Sequence, residues 1–145
     1  MAKHLFSEEQ KKQIVEAIKE AELNTSGEIR VHIEKKCPED VMDRAAFLFK
    51  KLKMHKTEKR NGVLFYLAVK DHKFAIIGDA GINAVVPEGF WANIKETMAK
   101  YFKEGDFTTG LAEGIRMSGE QLKSHFPYQS DDVNELSNDI SFGKE

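Results

Sequence analysis

Cysteine is nearly absent from this chain of 145 residues: Cys37 is the only one. A single thiol excludes an intrachain disulfide and a thiolate metal cluster. Cys37 follows Lys35 and Lys36, cations able to lower a thiol pKa, but a lone loop cysteine is more often inert than redox-active. A surplus of one charge is also lacking. Lys and Arg total 22 against 24 Asp and Glu, a formal net charge of -2. That balance argues against bulk nucleic-acid binding, which needs a strongly cationic face to release phosphate counterions. No apolar run approaches a membrane-spanning length, and the opening MAKHLFSEEQKKQ lacks the apolar centre of a secretion signal. The chain as it stands is therefore expected in the cytoplasm, unless it was trimmed from a longer precursor.

Familiar catalytic signatures are missing as well. There is no GxGxxG after a strand, no GxxxxGK[ST] phosphate loop, no HExxH and no GxSxG. The five histidines (His4, His32, His55, His72, His125) are scattered, with no pair at metal-ligand spacing. No organic cofactor is expected.

What is present describes one ordinary globular core. Hydrophobic residues make up 41% and charged residues 32%, enough for a single domain over residues 1–128. A polar, acidic tail over 129–145 is expected to lie extended along the body or partly loose, its Val133, Leu136, Ile140 and Phe142 packing on their own domain ahead of contacting a partner. Ser7-Glu8-Glu9-Gln10 has capping-box spacing, and Ile14, Val15, Ile18 and Ala21 follow as one helical stripe. After a break at Asn24-Thr25-Ser26-Gly27, residues 28–34 alternate. Ile29, Val31 and Ile33 lie on one face, Arg30 and His32 on the other, which predicts a strand with one half-polar face.

Pro38-Glu39-Asp40 opens a second helix carrying Val41, Ala45, Leu48, Phe49 and Leu52. The basic tract from Lys50 to Arg60 reads first as a solvated helix end and second as a surface for an anionic partner. Then comes a hairpin: an apolar run at Val63–Val69, a polar turn at Lys70–Lys73, a second run at Phe74–Ile77, and Gly78-Asp79-Ala80-Gly81. Pro87 is expected to start a third helix with Trp91, Ile94, Met98, Tyr101 and Phe102 on one side. Gly105 suits its left-handed cap. Thr108 or Thr109 is expected to cap a fourth helix with Leu111, Ile115, Leu122 and Phe126.

Strand, helix, strand across 28–69 implies a right-handed crossover with parallel strands, and the hairpin adds an antiparallel one. A continuous apolar strand at 63–69 needs cover on both faces. The expected fold is a three-layer α/β/α sandwich whose small mixed sheet is flanked by about four helices. In that topology Glu28, Asn61 and Asp79 converge on one rim, with Thr25 and Ser26 nearby. Such hard oxygen ligands suit calcium or magnesium. The competing reading makes Asp79 a turn cap and Glu28 a strand-edge charge. The opposite rim, beyond the carboxyl ends of the parallel strands, ranks second and gathers Glu34, Asp71, His72 and Asp106. There the competing reading makes Asp71 a hairpin-turn residue and Asp106 a turn or cap residue before the fourth helix.

Four ordered segments, SGEIRVHIE, NGVLFYLAVKDHKFAIIGDAGI, FWANIKETMAKYFKEGDFTTGLAEGI and FPYQSDDVNELSNDI, make the chain similar to the TPM domain family. It looks like the soluble bacterial branch, in which the domain stands nearly alone. The resemblance implies an α/β/α sandwich and makes Asp79 and Asp106 the matching acids. It also implies a mixed biology: plant thylakoid-lumen relatives are associated with photosystem II repair, acid phosphatase activity and calcium binding, and an animal relative modulates receptors. The chain departs from those lumenal relatives in showing no signal segment. Two functions are therefore expected in order. One is a monomeric binding or accessory module that docks a partner protein and takes a divalent cation. The other is a metal-assisted phosphatase with Asp79 and Glu28 as ligands, Asn61 orienting, and Lys59 and Arg60 steering phosphate.

Overall fold

The computed structural model describes residues 6–23, 25–127 and 140–143. Helix α1 (Glu8–Glu22) starts at the expected box: the Gln10 N–H donates to Ser7 Oγ at 3.1 Å and the Ser7 N–H to Gln10 Oε1 at 2.9 Å. Strand β1 (Glu28–Glu34) follows, then α2 (Val41–Lys51), with Asp40 accepting from the N–H groups of Met42 and Asp43. A 3₁₀ turn (Met54–Lys56) leads into the hairpin of β2 (Gly62–Ala68) and β3 (Lys73–Gly78). One helical turn, α3 (Ala80–Asn83), precedes α4 (Phe90–Lys103) and α5 (Phe107–His125), and β4 (Ser141–Phe142) comes last.

The sheet order is β3-β2-β1-β4. β1 and β2 are parallel from Glu28 opposite Gly62 to Glu34 opposite Ala68, as crossover handedness requires. β2 and β3 are antiparallel, Val63 facing Gly78. Side chains alternate along each strand, so the apolar run of β2 divides between two layers. Val63, Phe65 and Leu67 join Ile29, Val31 and Ile33 beneath α1, α4 and α5. Leu64, Tyr66 and Ala68 meet Ala45, Leu48 and Phe49 of α2 on the other side. Each fully buried aliphatic or aromatic side chain is worth about 1.5–3 kcal/mol relative to exposure. The molecule is an α/β/α sandwich with a thick layer and a thin one. Among the described residues no helix is long and apolar enough to cross a membrane.

Two local expectations need correction. Helix α4 begins at Phe90, not at Pro87, because Gly89 takes a left-handed conformation (φ 81°) and interrupts the turn. Helix α5 is capped by Asp106, whose Oδ1 accepts from the Thr109 N–H at 3.1 Å; neither threonine is the cap. The end of the tail lies extended along the body, as expected, and joins the sheet: Ser141 pairs with His32 and Phe142 with Ile33, parallel to β1. Gly105 does take the expected left-handed conformation (φ 81°). The tail residues Val133 and Leu136 lie outside the described residues.

Candidate functional site

Topology delivers Glu28, Asn61 and Asp79 to one rim. The Glu28 N–H donates to Asn61 O at 3.2 Å, and the Asp79 N–H to Gly62 O at 3.0 Å. All three are buried, with relative exposures of 3%, 2% and 5%. β2 lies between β1 and β3, so Glu28 and Asp79 start about 10 Å apart at the backbone, two strand spacings. Asp79 is heavily engaged. Arg60 grips it bidentately, Nε on Oδ2 and Nη2 on Oδ1, each at 2.7 Å. Oδ1 also accepts from the Ala80 N–H at 2.7 Å, capping the single turn of α3. The backbone is tight here: a Cβ on Gly81 would come within 2.3 Å of Lys59 O and 2.7 Å of Arg60 O. Asn61 donates its amide to Ser26 O (3.2 Å) and Ser26 Oγ (3.4 Å), and Lys59 Nζ reaches the same hydroxyl at 3.5 Å.

Arg60, which holds the Asp79 carboxylate, has a side chain that is 50% exposed. The carboxylate in turn pushes the guanidinium pKa above its usual value. Among the described residues, no three His, Cys, Asp or Glu side chains gather closely enough to hold a metal ion. A divalent ion at this rim would use Asp79, Glu28 and the Asn61 amide, completed by water, and would have to displace Arg60.

At the second rim the acids and His72 each have a contact of their own. Asp71 Oδ2 accepts from the Cys37 N–H at 2.7 Å, Asp106 caps α5, and His72 stacks obliquely near Phe107 with centroids 6.1 Å apart. Glu34, by contrast, anchors a buried polar network. Tyr66 donates to Oε2 at 2.7 Å, Arg44 Nε donates to the same oxygen at 3.2 Å, and Arg44 Nη2 pairs with Oε1. His32 Nε2 meets Oε1 at 3.2 Å, while its Nδ1 lies 2.9 Å from Ser141 Oγ in β4. Burial works against ionisation of Glu34, but bonds from Arg44, Tyr66 and His32 outweigh it and hold the carboxyl below its usual range. Burial lowers the His32 pKa, which Glu34 only partly offsets, so His32 is neutral at neutral pH. Burial and the bond to Glu34 push the Tyr66 phenol up.

Arg44, Tyr66 and Ser141 are polar partners that sequence reasoning did not identify. A signal existed: His32 and Glu34 share parity on β1, and Tyr66 takes the matching parity on β2. A groove of about 850 Å³ between α1 and α5 lies away from both rims. Its arginine, Arg116, is already paired with Glu113 and Glu120.

The TPM domain model matches residues 2–121. Among solved structures, the chain is similar to the BA42 protein of the psychrophilic bacterium Bizionia argentinensis, at 49% identity with a TM-score of 0.89 over 95% of each chain. It is also similar in fold to the N-terminal domain of a P. gingivalis protein: 19% identity, TM-score 0.69, covering 86% of this chain and 83% of that one. The N-terminal domain of the cg2496 protein of Corynebacterium glutamicum gives 11% identity and TM-score 0.65, covering 97% and 81%. No curated protein matches the sequence.

Proposed function

The chain belongs to the TPM domain family, and on that footing we propose that it is a binding or accessory module that docks a partner protein and takes calcium or magnesium at the Asp79 rim. One observation carries the ion reading: a buried carboxylate held by an exposed arginine that solvent can release. Asp79, Glu28 and Asn61 supply hard oxygens, the donor type these cations prefer. Arg60 acts as the resident counter-cation, and the incoming ion takes its place. The module reading over an enzyme is supported by the other acids, Glu34, Asp71 and Asp106, each of which has a structural bond.

Calorimetric titration with calcium and with magnesium tests the proposal. Asp79→Asn should abolish the binding heat, whereas Arg60→Gln should tighten binding several-fold by removing the competing cation. If neither the wild-type chain nor Arg60→Gln takes up either ion, the site does not exist. The exposed Lys59 and Arg60 beside the rim favour metal-assisted phosphate-ester hydrolysis as a second reading. Chelator-sensitive phosphate release from a generic ester, absent in Asp79→Asn, would put the phosphatase ahead of the module.

A further inference from the structure

The tail strand β4 has two residues, and its half-buried segment 140–143 is all of the tail that is described. It lies beyond residue 121, where the family match ends. Its seat is nevertheless specific. The Gly143 N–H donates to Ile33 O at 2.8 Å, extending the ladder. Ser141 Oγ meets His32 Nδ1 at 2.9 Å on the α2 side. Phe142 turns to the other side and packs against the main core, with Lys11 Nζ 5.8 Å from its ring centre. Gly143 passes directly over Glu34: a Cβ there would lie 2.3 Å from Glu34 Cγ and 2.9 Å from Oε1. Below this seat, the Ile29 N–H on β1 is taken by Glu22 Oε2 at 2.8 Å, which marks the lower end of the site.

We propose that the outer edge of β1 around His32 and Ile33 is a strand-acceptor site for a partner protein's extended segment. The segment it fits reads apolar, hydroxyl, aromatic, glycine, and the chain's own Ile140-Ser141-Phe142-Gly143 is the resident copy. Main-chain bonds to Ile33 supply affinity, as in strand addition generally, and the alternating side chains supply specificity. The hydroxyl is read by His32, whose other nitrogen is fixed by Glu34. The aromatic ring is read by the core beside Ile33 and by Lys11, and glycine is required because only hydrogen fits over Glu34. A resident strand this short yields readily, so a partner segment replaces it bond for bond. This surface lies apart from the Asp79 rim and does not depend on an ion binding there.

The test uses the full-length chain and a fluorescently labelled peptide of residues 138–145, NDISFGKE. Gly143→Val forces the chain's own strand off Glu34 and empties the seat. That variant should bind the peptide at least tenfold more tightly than the wild-type chain, whose tethered tail competes at an effective concentration of about 1 mM. Peptides carrying Ser141→Ala or Gly143→Val should bind at least fivefold more weakly than the parent. No rise in anisotropy with Gly143→Val, equal affinity for the wild-type chain, or equal binding of a scrambled peptide each overturns the proposal. Far-UV circular dichroism and Trp91 fluorescence verify folding. Should Gly143→Val fail to fold, the milder Phe142→Ala empties the seat instead and must show the same tenfold gain.

Discussion

Glu22 is the residue whose ionisation the fold raises most usefully for a measurement. Burial at the end of α1 lifts its pKa from 4.5 to about 7, against the opposing effect of the Ile29 N–H. The native state therefore holds a proton that the unfolded chain loses first. Its contribution to stability is complete below pH 4.5 and is lost as pH rises through about 7. His32 works the other way: with its folded pKa below 6.5, it costs stability as pH falls beneath that value. Comparing two chains cancels the histidine. Urea midpoints at several pH values should show Glu22→Gln gaining about 1–2 kcal/mol on the wild type between pH 5 and pH 8. A constant gap across that range would mean that Glu22 titrates normally. Nothing in the local sequence EAELNTSGEI announces this shift, because it comes from the burial of the helix end in the folded chain.

Helix boundaries were legible wherever the signal is local. Ser7 with Gln10, and Asp40 before Val41, act through hydrogen bonds spanning two or three residues, and both caps are present. The fourth long helix was harder, since FKEGDFTTG holds three residues able to cap: Asp106, Thr108 and Thr109. The geometry of the chain leaving Gly105 selects Asp106, and Thr108 is buried instead. Thermal or urea unfolding should show Asp106→Ala losing about 1 kcal/mol, while Thr109→Ala costs well under half as much. Equal losses would place the cap on the threonine after all. At this scale a sequence pattern nominates capping residues, and the entry angle of the chain chooses among them.

Across the whole molecule, the two helical layers are unequal. Three long helices cover one face of the sheet and α2 with the 3₁₀ turn covers the other, so that thin side tolerates a buried charge network. Glu34 joins β1, β2 through Tyr66, α2 through Arg44, and β4 through His32. Arg44→Ala leaves the Glu34 carboxylate with only neutral donors and should cost about 2–3 kcal/mol. Glu34→Leu with Arg44→Met removes both charges together. A double-mutant cycle by chemical denaturation should find the paired change about 1–2 kcal/mol milder than the sum of the single ones. Additive losses would show that the pair is not coupled.

The sequence by itself determined the layers, the parallel crossover, the antiparallel hairpin and the arrival of Glu28, Asn61 and Asp79 at one edge. These follow from hydrophobic periodicity and the handedness of strand connections, rules that act along the chain. Only the tertiary structure decided what each acid touches. Arg60 and Asp79 are 19 residues apart, Glu34 and Tyr66 are 32 apart, and His32 and Ser141 are 109 apart. Periodicity places a side chain on a face, but its partner is set by which face of another element packs there, and that depends on the whole core at once.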